Sequence, residues 1–171
     1  MILFKQAGKL SHHLEIARKT AKKIGFVPTM GALHKGHLSL IESSKRENDI
    51  TVCSIFVNPT QFNNAEDFKK YPITIEADIE KLLLAECDVL FQPSKEEIYP
   101  ENFVTKHYDL RELENVLEGF YRPGHFQGVC QVMDRLLEIV QPDNLYLGAK
   151  DFQQWSICNG CLHQFRSKSC E

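Results

Sequence analysis

Residues 25–41 read GFVPTMGALHKGHLSLI, and the centre of this stretch sets His34 and His37 three positions apart with Gly31 and Gly36 beside them. At the start of a helix that spacing puts both imidazoles on one face. With an unperturbed pKa of about 6.5, histidine donates hydrogen bonds as either the neutral ring or the cation near neutral pH. The glycines permit a sharp strand-to-helix turn and close approach of a ligand to the backbone. A helix start adds N–H groups and partial positive charge, which together favour an anion. Such a turn is suited to holding phosphate oxygens while charge builds on them during phosphoryl or nucleotidyl transfer. The competing reading is a glycine turn with two surface histidines, and it loses weight because the turn follows an apolar run and opens a helix.

The elements that must position this turn are legible as an alternation. KIGFV (23–27), DITVCSIFV (49–57), CDVLFQP (87–93) and DNLYLG (143–148) are short, nearly continuous apolar runs, the pattern of strands buried on both faces. Helical periods lie between them. Val129, Val132, Met133, Leu136, Leu137 and Val140 make one stripe. Thr74 is placed to cap a helix carrying Ile75, Ile79, Leu82 and Leu83 on one face, with Glu76 and Asp78 near its positive end. Strand and helix in alternation imply an α/β fold: a parallel sheet with right-handed crossovers and helices on both faces. The loops after the strands' carboxyl ends then line the ligand crevice. Those loops hold PTMGALHKGH, NPTQF (58–62), QPSKEEIYP (92–100) and GAKDFQQ (148–154), so Asn58, Gln61, Lys150, Asp151 and Gln154 gather on one rim with the histidines.

At 171 residues, 43% hydrophobic and 25% charged, the chain is sized for one domain with a proper core. A formal net charge of −3 with scattered Lys and Arg offers no basic surface to nucleic acid. Neither an export signal nor a long apolar run is read, so the expected location is cytoplasmic, with no membrane partner. Cys53, Cys87 and Cys130 sit singly in apolar segments, as free thiols of a reducing compartment do. His12, His13 and His107 have no partner spacing and read as surface residues.

HKGH at 34–37 is similar to the H-x-G-H signature of the nucleotidyltransferases related to class I aminoacyl-tRNA synthetases, and PTMGALHKGH resembles its pantothenate synthetase version. SIFVNPTQF (54–62), YRPGHFQGV (121–129) and LYLGAKDFQQ (145–154) resemble further segments of that family in the same order, so the likeness runs from about residue 2 to residue 154. It implies a Rossmann-like sheet of the HIGH-motif nucleotidyltransferase type. It also implies ATP-dependent condensation of pantoate with β-alanine through a pantoyl-adenylate, with Mg2+, AMP and pyrophosphate.

Carried over residue by residue, the resemblance implies that Met30, Gly31, Ala32, Leu33, His34, Lys35, Gly36 and His37 wrap the nucleotide. His34 and His37 would hold phosphates, with His37 the general acid that assists pyrophosphate departure. Gly148, Ala149, Lys150 and Asp151 would bind ATP, Lys150 by its charge on the phosphates as a third catalytic residue. Gln61 and Gln154 would hydrogen-bond pantoate, since amides both donate and accept, and Gln61 is a candidate for β-alanine as well. A homodimer is implied too. Without the likeness, Lys150 and Asp151 read as charges on the first turn of a helix, and the glutamines as solvated surface. Asp78 and Asp151 are the carboxylates open to Mg2+, neither of them favoured. His125 reads as a structural turn residue under the pantoate pocket, outside the catalytic set, and Arg122 stays ambiguous.

From residue 155 the chain reads WSICNGCLHQFRSKSCE, where the family continues with a strand, a serine-and-arginine loop and a smaller C-terminal lid domain. The expected organisation is a nucleotide- and pantoate-binding domain over 1–154 and an atypical tail over 155–171, without the lid. The tail shows neither strand alternation nor an amphipathic stripe. Cys158, Cys161, His163 and Cys170 are too loosely spaced to favour zinc. Fewer phosphate donors and incomplete exclusion of water would slow adenylate formation. Two other functions stay open. One is a related nucleotidyltransferase moving AMP or CMP onto a phosphate ester, which would need cations where this rim offers Gln61 and Gln154. The other is a non-catalytic ATP-binding or dimerising fragment.

Overall fold

Six parallel strands carry the chain in the order β1-β4-β3-β2-β5-β6: β1 (Ile2–Phe4), β2 (Ile24–Thr29), β3 (Ile50–Ile55), β4 (Val89–Phe91), β5 (Asn144–Gly148) and β6 (Ser167–Cys170). The coordinates are a computed structural model, which describes residues 1–62, 65–108, 110, 124–148 and 167–170. Alternate residues of each inner strand point to opposite faces, and both faces are covered. Phe26, Val52, Val89 and Leu145 pack with α1 (Ala7–Lys19) and α6 (His125–Val140). Val27, Cys53, Leu90 and Tyr146 pack with α2 (Lys35–Glu47) and α4 (Ile75–Leu84). Two short helices, α3 (Ala65–Lys70) and α5 (Lys95–Ile98), complete the described helices. The expected stripe of α6 is buried along its length.

This strand order sets the site. From β2 the chain steps outward to β3 and β4 on one side, whereas β5 lies on the other, so the winding reverses between β2 and β5. Ligand crevices of open α/β sheets form at such a reversal, outside the carboxyl ends of the strands. Pro28 contributes here. The carbonyl of Thr29 accepts from the N–H of Phe56, which turns Thr29 toward β3 and Pro28 toward β5. Having no N–H, proline cannot extend the ladder on that side, and β2–β5 pairing stops at Phe26↔Leu145.

Several expectations change. The sequence pattern did not single out β1 or α1, because Ile2 and Leu3 lie at the sheet edge, 49% and 45% exposed, and give no buried run. Helix α2, expected from the sequence to begin near His37, starts at Lys35. Leu83 is 52% exposed while Leu82 is buried, since neighbours on a helix are about 100° apart and only one can face the sheet. Thr74 occupies the N-cap position of α4 but turns its hydroxyl to Asp78 rather than to a backbone N–H. In the tail, β6 pairs with β5 from Leu145↔Ser167 to Gly148↔Cys170. An edge strand takes its hydrogen bonds from its neighbour's backbone, so it forms without the side-chain alternation that would announce it.

Among the described residues no helix is long and apolar enough to cross a membrane. Cys53, Cys87 and Cys130 are buried.

Candidate functional site

The turn after β2 is built before any ligand is considered. The Thr29 hydroxyl donates to the carbonyl of Ser54 at 2.7 Å and accepts from the N–H of Gly31 at 3.2 Å. Gly31 then adopts φ +87° and Ala32 φ +50°. Glycine enters the left-handed region freely, whereas alanine pays about 1 kcal/mol there, so Ala32 needs an external hold. Asp78, on the first turn of α4 and 1% exposed, provides it. Ala32 N–H donates to its Oδ2 at 2.8 Å and Leu33 N–H to its Oδ1 at 2.7 Å. Thr74 Oγ1 donates to Oδ2 at 3.1 Å, and Lys81 Nζ donates to the Leu33 carbonyl at 2.7 Å.

His34 then caps α2. Its Nδ1 accepts the N–H of Gly36 at 3.1 Å, while Nδ1 of His37 accepts the N–H of His34 at 3.3 Å. The rings stack with centroids 4.0 Å apart. A ring nitrogen that accepts carries no proton, so the bonds assign the Nε2–H tautomer to both neutral rings. Imidazoles therefore do the work of the usual Ser or Asp cap, and no acidic residue stands in the first turn of α2 to oppose an anion. Lys35 and Gly36 are exposed beside them.

A second network fixes Gln61, which lies in the 3-10 turn Pro59–Gln61 after β3. Asn58, 1% exposed, donates from Nδ2 to Gln61 Oε1 at 3.2 Å and to the Gly128 carbonyl at 3.0 Å. Its Oδ1 accepts from Thr60 Oγ1 at 3.0 Å and from the Tyr99 hydroxyl at 3.0 Å. Burial pushes the Tyr99 phenol upward against the pull of these bonds. Nδ1 of His125, the buried first residue of α6, lies 2.8 Å from the Gln61 carbonyl. Gly128 allows this contact, since a Cβ there would stand 2.4 Å from the Thr60 carbonyl oxygen. So held, Gln61 directs Nε2 to the thioether of Met30 at 2.7 Å.

The structure thus brings Met30 and Gln61 together at the mouth of the crevice and strings Gly31 through His37 along one turn. Gly148 ends β5 across the reversal. Ala149, Lys150, Asp151 and Gln154 lie outside the described residues, as do Arg122, Cys158, Cys161 and His163. A mostly apolar cavity of about 340 Å3 adjoins the turn, lined by Met30, Gly31, Phe56, Ile75, Asp78 and Gln92 among others. Among the described residues no three His, Cys, Asp or Glu side chains gather to hold a metal. Asp78 is 1% exposed and each of its oxygens accepts a backbone N–H, so its carboxylate is engaged in shaping the turn. What sequence reasoning missed was the clamp itself. Its signal was Thr74, Asp78 and Lys81 at spacings of four and three, which aligns them on one face of a helix beginning at residue 75.

An all-parallel sheet whose winding reverses at an H-x-G-H turn defines an α/β domain of the nucleotidyltransferase type. A sequence model of the pantoate–β-alanine ligase family matches residues 2–169, and the chain belongs to that family. The match passes residue 154 and takes in most of β6. The chain is 50% identical over 148 residues to the pantothenate synthetase of Francisella philomiragia, and 51% identical over 157 residues to that of Francisella tularensis. These alignments cover 86% and 92% of this chain but 57% and 60% of the relatives. The chain therefore spans less than two thirds of their length. The fold superimposes with a TM-score of 0.93 and 44% identity on the pantoate–β-alanine ligase of Francisella tularensis complexed with β-γ ATP and β-alanine, covering 99% of this chain and 66% of that one. For the Thermus thermophilus pantothenate synthetase the TM-score is 0.89 at 40% identity, over 99% and 61% of the chains.

Proposed function

We propose that this chain is an ATP-dependent ligase domain that binds ATP along residues 30–37 and pantoate beside Gln61, and that it performs the adenylating half of pantoate–β-alanine ligation. The observation that carries this reading is the reciprocal capping of α2 by His34 and His37, which commits both Nδ1 atoms to the backbone and leaves each ring's proton at Nε2. In the reaction a pantoate carboxylate oxygen attacks the α-phosphorus of ATP and the bond to pyrophosphate breaks. His34 and His37 stabilise the charge that grows on the phosphate oxygens through their Nε2–H donors, and His37 supplies a proton to the departing pyrophosphate from its imidazolium form, in which Nδ1 is protonated and its contact with the N–H of His34 gives way.

Gln61 Nε2 rests on a thioether, a weak acceptor, so a pantoate hydroxyl or carboxylate oxygen is a better partner and replaces it. Gln154 is proposed to hold the other side of pantoate. Gly148, Ala149, Lys150 and Asp151 complete the ATP site, with Lys150 on the phosphates. β-Alanine is proposed to enter beside Gln61, a reading supported by the β-alanine complex of the Francisella tularensis relative. Magnesium is proposed to arrive on the nucleotide's phosphates, as that ion commonly does. The domain over 1–154, joined at the sheet edge by β6 of the segment 155–171, is proposed to work in the cytoplasm as a homodimer. A phosphate-ester acceptor is disfavoured by the amide at position 61.

The deciding experiment is pantoate-dependent ATP–pyrophosphate exchange with the purified chain and with His37→Ala. Exchange in the first and its loss in the second supports the reading. Thermal stabilisation by ATP with neither exchange nor a response to pantoate overturns it in favour of an ATP-binding fragment.

A further inference from the structure

We infer that Asp78 is a positioning residue: its carboxylate holds Ala32 in the left-handed conformation, and thereby keeps the 30–37 turn in the shape that receives the nucleotide. Ala32 is a non-glycine residue at φ +50° placed directly after Gly31 at φ +87°. Two successive residues in that region reverse the chain between the end of β2 and His34. Left to itself, alanine at this position returns to the broad β or α region, and the backbone that follows is redirected. The neighbouring residues oppose this from α4. Oδ2 takes the N–H of Ala32 and Oδ1 that of Leu33, while Lys81 holds the Leu33 carbonyl, so three backbone polar groups of the turn are bonded to one helix face. Thr74 fixes the carboxylate in turn. Gly31 belongs to the same device, since a Cβ there would press on Asp78 Oδ2 at 3.2 Å.

The carboxylate is chemically required. Both of its oxygens face N–H donors, whereas an amide offers one acceptor and would turn its NH2 against the second donor. Bonds to a charged acceptor are roughly twice as strong as neutral ones. A turn that is correctly shaped only part of the time binds its ligand more weakly in proportion to that fraction. Asp78 therefore acts on nucleotide affinity through the population of the formed turn, without touching the nucleotide. This rests on the functional reading above only in naming ATP as the ligand.

The test uses the whole chain, ATP titration with and without Mg2+, and amide exchange at Ala32 and Leu33 followed by NMR. Asp78→Asn is expected to weaken ATP roughly tenfold or more, by the same factor with and without the metal, and to speed exchange of both amides. Adding Ala32→Gly, which removes the conformational penalty, is expected to recover a good part of that affinity. Wild-type affinity in Asp78→Asn, no recovery from Ala32→Gly, or a loss seen only with Mg2+ overturns the inference. Should Asp78→Asn fail to fold, Lys81→Met removes one bond of the clamp at a partly exposed position, and unchanged ATP affinity together with unchanged Leu33 exchange overturns it equally. If the unmodified chain binds no ATP, the functional reading fails, while the exchange of Ala32 and Leu33 still decides whether the clamp exists.

Discussion

The imidazoles of His34 and His37 stack at 4.0 Å between centroids, and each spends Nδ1 on a backbone N–H of the same helix start. Capping and the proposed phosphate binding therefore fall to opposite nitrogens of the same rings, and one substitution can separate them. His34→Asn keeps a favoured N-cap acceptor and loses the Nε2 donor. Its melting temperature is expected to stay within a few degrees of wild type while ATP binds several-fold more weakly. His34→Ala loses both, and about 1 kcal/mol of stability with them. Thermal melts and ATP titrations of the two variants check this, and equal ATP affinity in His34→Asn and wild type would remove His34 from the phosphate site.

At His37 the expected loss is in chemistry. General acid catalysis is typically worth about 100-fold to 10,000-fold. His37→Ala is therefore expected to lower ATP–pyrophosphate exchange by about 100-fold or more at saturating ATP and pantoate. Exchange that recovers when ATP is raised would assign His37 to binding alone.

The same helix start shows how far the sequence could be read. The turn, its glycines and its histidines were legible because β2 before it and the stripe of α2 after it are both apolar and regular. The left-handed Ala32 was not, since nothing in an alanine signals φ > 0, and its hold comes from Asp78, 46 residues further on. The same limit explains Asp78 itself: composition offers a carboxylate near a site, and only the fold tells whether its lone pairs meet a cation or the backbone. At the sheet edges the reading failed for a different reason. β1 and β6 gain their place from backbone pairing, which leaves no mark on side-chain pattern.

In α4 the helical period was read correctly but the stripe one residue too wide. Leu82→Ala is expected to cost about 2 to 5 kcal/mol, because the side chain is fully buried against the sheet. Leu83→Ala, at an exposed neighbour, is expected to change stability by about 0.5 kcal/mol or less. Urea unfolding of both variants checks the assignment, and comparable losses would place Leu83 in the core as well.

Gly128 links α6 to the Gln61 side of the crevice, where pantoate is proposed to bind. A Cβ there would meet Thr60 backbone atoms at 2.4 and 2.7 Å and the Gln61 nitrogen at 2.8 Å, so backbone must move. Gly128→Ala is expected to destabilise the chain by about 1 to 3 kcal/mol, as overpacking does. Because the displaced segment carries Gln61, stabilisation by pantoate should fall further than stabilisation by ATP. Thermal-shift titrations with each ligand distinguish the two, and an equal loss for both would mean that the 3-10 turn does not position Gln61 for pantoate.

Cys87 supplies the pH dependence. Burial pushes its thiol from 9.0 to about 11, and the same cause raises Cys53 well above its ordinary value. The folded state thus favours the protonated thiols. A group whose folded pKa exceeds its unfolded one contributes stability that is complete below the unfolded pKa and is lost as pH rises through the folded pKa. The loss therefore begins near pH 9 and runs to about pH 11 for Cys87. At pH 10 the unfolded thiol is mostly ionised and the folded one is not, a difference of about 1.4 kcal/mol against folding. Urea midpoints of wild type and Cys87→Ala between pH 7.5 and 10.5 are expected to converge as pH rises, with wild type losing stability more steeply. Parallel curves would mean that the thiol ionises as readily in the folded chain as in the unfolded one. Below pH 8 the same burial keeps both thiols protonated and shielded, so neither should react with an aromatic disulfide reagent until urea unfolds the chain.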